Sequence, residues 1–122
     1  MATDPRLAPT PEPPYWVVAF TSRRTREDDE GYARMAAAMA ELAPQQPGYL
    51  GIESTRDAEG VGITLSYWAS EQAIHDWKRV AAHTEAQRRG HATWYTDFVV
   101  RIARVERAYT KATSERAGLE SR

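Results

Sequence analysis

Val61-Gly62-Ile63-Thr64-Leu65-Ser66-Tyr67-Trp68, running on into Ala69-Ser70-Glu71-Gln72-Ala73, is the stretch on which the fold turns. Its first eight residues alternate. Val61, Ile63, Leu65 and Tyr67 fall on one side and Gly62, Thr64, Ser66 and Trp68 on the other, the period of a strand. Then the period changes. Ser70 suits an N-cap, because its hydroxyl can accept from a free N–H of the first helical turn, and Glu71 suits the positive end of the helix dipole. Ala73, Ile74, Trp77, Val80 and Ala81 follow at helical spacing and predict one inward face. A strand therefore hands over directly to a helix, which we expect to run to Arg89 with Gly90 as its stop.

Upstream, Arg56-Asp57-Ala58-Glu59-Gly60 reads as a turn, so Tyr49–Thr55 and Val61–Trp68 form a hairpin. Pro47-Gly48 separates that hairpin from a helix over about 28–43. Tyr32, Met35, Ala36, Met39 and Leu42 give this helix its expected buried face. Tyr15-Trp16-Val17-Val18-Ala19-Phe20 is a continuous apolar run, which predicts a first strand buried on both faces. Downstream, Trp94-Tyr95 is read as a connection and Phe98 to about Tyr109 as the last strand. Phe98, Val100 and Ile102 alternate, then Ala103 and Val105 take the opposite parity, so a bulge is expected near Ile102. The order is βαββαβ, an α+β ferredoxin-like arrangement: an antiparallel sheet with both helices on one face. The other face is left bare, and a homodimer is the simplest way to cover it.

Composition limits the partners. The 122 residues suit one domain, with 42% hydrophobic and 27% charged residues and a formal net charge of −1. No basic run supports nucleic acid or an anionic membrane as partner. There is no cysteine, hence no disulfide or thiolate site. Five of the seven prolines lie in residues 1–14, which read as a disordered leader without an apolar signal core. Residues 110–122 read as a polar tail, leaving 15–109 as the folded unit. A cytoplasmic location is the expectation from these features.

Four stretches together resemble the antibiotic biosynthesis monooxygenase (ABM) superfamily of dimeric α+β barrels. They are Tyr15–Phe20, Pro47-Gly48-Tyr49-Leu50-Gly51, Ser66–Ala73, and Trp77 followed by Ala82-His83. The third is the most specific: a strand-ending Trp, a Ser, then a helix opening on Glu-Gln-Ala. The resemblance implies a homodimer and a pocket between sheet and helices. One group of that superfamily oxidises aromatic polyketides without metal or flavin. Trp68 matches its strand-ending Trp, while Thr64 and Ile74 stand where that group has Asn and Tyr. Another group degrades haem, with haem as substrate and cofactor together. Trp77 and His83 match its helix Trp and His; its first-strand Asn has no counterpart, since this chain contains no Asn.

The resemblance therefore implies a protein acting on a small aromatic or lipophilic molecule, by oxygen-dependent oxidation without flavin or metal if it is catalytic. His83 would be the base, with Trp68, Trp77, Trp94, Tyr95 and Tyr67 lining the pocket. Each residue also has a plainer reading. His83 can be a locally bonded histidine at the edge of the core, and the aromatics can be core or dimer packing. A haem-binding or haem-degrading protein and a non-enzymatic dimeric binding module are the alternatives. His75, His83 and His91 are eight apart and do not share a helix face, so they predict no metal site. No Gly-x-Ser-x-Gly, glycine-rich phosphate loop or calcium loop is present.

Overall fold

The computed structural model describes residues 4–88 and 94–114. The elements are β1 (Tyr15–Arg24), α1 (Asp29–Leu42), a short 3-10 turn (Ala43–Gln45), β2 (Tyr49–Arg56), β3 (Val61–Trp68), α2 (Glu71–Arg88) and β4 (Tyr95–Val105). The four strands form one antiparallel sheet in the order β2-β3-β1-β4. This is the ferredoxin-like βαββαβ fold. The expected stop at Arg89-Gly90 and residues 115–122 of the tail lie outside the described residues. No helix among the described residues is long and apolar enough to cross a membrane.

The strand-to-helix handover forms as its sequence dictates. Trp68 ends β3, and Ser70 Oγ accepts from the Ala73 N–H at 3.1 Å, capping α2. Ala73 and Ile74 are buried against Trp68, with Trp16, Val18, Tyr49 and Trp77 packed around them. In the β2–β3 turn Asp57 Oδ1 accepts from the N–H groups of Glu59 and Val61, and Gly60 takes φ 91°, a left-handed backbone that favours glycine.

Several expectations are corrected. β1 extends to Arg24 and is not buried on both faces: Trp16 to Thr21 are half-buried, because among the described residues both helices lie on the same side of the sheet. Ala36 is exposed rather than buried; the inward side of α1 is carried by Met35, with Tyr32, Met39 and Leu42 half-buried. β4 begins at Tyr95, so Trp94-Tyr95 is not a free connection. There is no bulge at Ile102, which pairs in register with Val18; the irregularity lies at Arg23/Arg24 instead. Both parities of β4 carry apolar side chains, interspersed with Asp97, Arg101 and Arg104, and the strand is an edge exposed on both faces. Among its described residues, 4–14, the leader has no helix or strand. Its Ala8 N–H nevertheless donates to Glu53 Oε2 at 2.8 Å, and Thr10 Oγ1 lies 3.0 Å from the Tyr15 hydroxyl, which ties this part of the chain to the sheet.

Candidate functional site

Register assigns the sheet's two faces. Trp16 pairs with Trp68 on the side of α1 and α2, and alternation carries Val18, Phe20 and Ser22 to the same side. From β4 come Phe98, Val100 and Ile102; from β3 and β2 come Thr64, Ser66, Ile52, Ser54 and Arg56. This floor is divided. Its β1–β4 half is apolar between Ser22 at one end and Arg104, which pairs with Trp16 and bonds Glu106, at the other, and its β2–β3 half carries hydroxyls and the Arg56 guanidinium. Phe98, Val100 and Ile102 remain 42–46% exposed, so the helices leave the apolar half open. On the polar half the hydroxyls of Ser54 and Thr64 lie 2.8 Å apart.

Two aromatic clusters close the ends of this floor. At one end Trp68, without exposed surface, stacks on Trp77 at 5.8 Å and meets Tyr49 edge-on. Its indole N–H donates to Ser66 Oγ at 3.0 Å, so the buried donor is satisfied. At the other end Tyr32 from α1 meets Trp94 and Tyr95 edge-on, and Phe20 lies against Tyr95 and Phe98. Trp94 is also fully buried, and its indole donates to Asp28 Oδ2 at 3.1 Å. That bond, with the Gly31 N–H, holds the Asp28 carboxyl below the usual carboxylate range.

Charge gathers around Tyr32. The Arg24 guanidinium sits 3.7 Å above its ring, bonds Asp29 Oδ1 at 2.7 Å and donates to the Trp94 carbonyl. Arg56 approaches from β2 and donates to Ser22 Oγ at 2.9 Å and to the Tyr32 hydroxyl at 3.5 Å. Its guanidinium lies over Gly62, where a Cβ would come within 2.5 Å of Cζ.

The residues singled out from the sequence thus fall in separate places. Trp68 with Trp77, and Trp94 with Tyr95, form the two end clusters. His83 is exposed on α2. Tyr67 lies on the opposite, helix-free face, where its hydroxyl donates to Glu53 Oε1 at 2.7 Å; burial and then this carboxylate push its phenol up. Sequence reasoning missed Tyr32 and Phe20, which it read as core, and Arg56, which it read as turn. Alternation along β2 was the available signal, since Ile52, Ser54 and Arg56 share one parity.

A haem-type site does not fit these residues. Trp77 stacks on Trp68, His83 is exposed, and the chain has no Asn to stand beside a ligand. Among the described residues no three His, Cys, Asp or Glu side chains gather to hold a metal ion. A shallow groove by Thr21, Arg23, Val61 and Val99 is open to solvent and contains none of the sequence-chosen residues.

Comparison with known proteins agrees with the fold and bears on the family. The chain is 48% identical over 101 residues to the uncharacterised protein YqjZ of Bacillus subtilis, covering 83% of this chain and 88% of that protein. Its fold is similar to that of PA3566 from Pseudomonas aeruginosa (TM-score 0.60, 15% identity, 81% of this chain and 99% of that one). It is likewise similar to SO0527 from Shewanella oneidensis (TM-score 0.65, 10% identity, 78% and 94%). A candidate antibiotic biosynthesis monooxygenase from Deinococcus radiodurans has the same fold (TM-score 0.60, 15% identity, 78% and 96%). The family model for antibiotic biosynthesis monooxygenase, ABM, matches residues 16–89, from the first strand through the second helix, and the chain belongs to that family.

Proposed function

We propose that this ABM protein binds a small aromatic or lipophilic molecule over the helix-side floor and oxidises it with molecular oxygen, without flavin or metal. The observation that carries the reading is the divided floor. Phe20, Phe98, Val100 and Ile102 offer an open apolar surface beside the hydroxyls of Ser54 and Thr64. A flat molecule with one oxygenated edge matches such a surface, because its rings bury apolar area while its oxygens keep hydrogen-bond partners. Trp68 and Trp94 have no exposed surface and brace the end walls from behind. Trp77 and Tyr95 are half-buried and can touch a ligand. His83, on α2, is the proton acceptor in this reading.

The second part of the proposal is a homodimer, the common state of the family. Val17, Ala19, Ile63, Leu65 and Val99 lie on the helix-free face, and Ile63 and Val99 are 44–45% exposed. Tyr67 belongs to this interface rather than to the pocket. Light scattering is expected to give a mass of twice 13.8 kDa; a mass of 13.8 kDa at micromolar concentration contradicts the dimer.

Incubation of the purified protein in air with anthrone-type substrates tests the chemistry. The expected result is oxidation above background that falls with His83→Ala. Absence of any rate removes the monooxygenase reading and leaves ligand binding to be measured alone.

A further inference from the structure

We infer that the ligand is an anion: an aromatic compound bearing a carboxylate, phenolate or enolate oxygen, held by the Arg56 guanidinium beside the Tyr32 hydroxyl. This rests on the proposed aromatic ligand and narrows its class. The first support is the company Arg56 keeps. It is half-buried, and its partners are all neutral: the carbonyls of Ser22 and Gly60, the Ser22 hydroxyl and the Tyr32 hydroxyl. Among the described residues no carboxylate lies within ion-pair distance of it, whereas the nearby Arg24 is matched by Asp29. A cation removed from water without a counter-charge is costly, and an anionic ligand supplies the missing charge.

The second support is position. Arg56, Gly62, Ser22 and Phe98 form one row across the helix-side face, next to the row of Ser54, Thr64, Phe20 and Val100. The guanidinium therefore stands at the end of the apolar strip, where the acidic edge of an aromatic ring lying on that strip would arrive. The third is room and reach. Gly62 keeps the space under the guanidinium clear, and the contact to Tyr32 is long at 3.5 Å, the bond an incoming oxyanion would most readily replace. Bulk charge does not produce this preference, since the chain's formal net charge is −1.

Calorimetric titration of the full chain with 1-naphthoate and with 1-naphthalenemethanol, two probes sharing one ring system, is the test. The naphthoate is expected to bind about tenfold tighter, the scale of one charge-assisted hydrogen bond. Arg56→Gln should abolish that preference by weakening the naphthoate about tenfold more than the alcohol. Gly62→Ala keeps the charge but displaces the guanidinium, and should reduce the preference even where Arg56→Gln proves too unstable to titrate. Equal binding of both probes to the wild type, or an undiminished preference in a folded variant, overturns the inference and leaves the aromatic-ligand reading intact. If neither probe binds, both fall.

Discussion

The two tryptophans without exposed surface, Trp68 and Trp94, sit in opposite surroundings. Trp68 is enclosed by Trp77, Tyr49, Ala73 and Ile74, and among the described residues its indole bonds only the hydroxyl of a serine two residues away. Trp94 is enclosed by Tyr32, Asp28 and the Arg24 side chain bonded to its carbonyl, so charges surround it. Equal burial does not mean equal work. The first end of the floor is held by apolar packing and has no reason to respond to pH. The second is held by hydrogen bonds to ionised groups and adjoins the one half-buried guanidinium with no carboxylate partner among the described residues.

The comparison is broken most directly by Trp68→Ala. Truncating a fully enclosed aromatic costs about 4 kcal/mol, a large share of the stability of a small domain. Urea titration should show that loss at every pH. Trp94→Phe comes next. It keeps an aromatic ring but removes the indole donor to Asp28 and leaves a gap, together worth about 2 kcal/mol. Unlike the first loss, part of this one should disappear in acid, once Asp28 is protonated and the wild type has weakened too. A pH-independent deficit for Trp94→Phe would show that both tryptophans are plain packing residues. Tyr67→Phe, on the other face, removes the bond to Glu53 and should cost about 1 kcal/mol by denaturant titration at fixed protein concentration.

The difference between the two ends also explains what could be read from the chain alone. Strand β3, the Ser70 cap and the inward face of α2 were legible because alternation, capping and helical period are local. The long edge of β4 was misread for a physical reason. A strand with apolar side chains on both faces has no parity to follow, so the change after Ile102 suggested a bulge where the register is regular. The site was less legible still. Tyr32 sits at helical spacing with Met35 and Met39 and looks like core. Only the fold brings it between Arg24 and Arg56, from positions eight residues before and twenty-four residues after it. His83 stood out because histidine carries chemistry by type, yet its placement is exposed and apart from the charged cluster.

Asp28 gives the smallest effect and the cleanest discrimination. Its carboxylate accepts from the Trp94 indole and from the Gly31 N–H at the start of α1, and both bonds favour the charged form. The folded-state pKa is therefore below the ordinary value of 3.8. A depressed carboxylate contributes stability that is fully present above the unfolded pKa and is lost as pH falls through the folded one. The wild type should accordingly lose this contribution in acid, beginning near that ordinary value and ending below it. Asp28→Asn keeps the acceptor oxygen, and asparagine also tolerates the left-handed backbone at this position (φ 53°), but it carries no charge to lose. Its stability should start slightly below that of the wild type at neutral pH, and the two curves should converge in acid. Parallel curves would mean that the indole of Trp94 is held by shape alone, and the electrostatic contrast between the two ends of the floor would be gone.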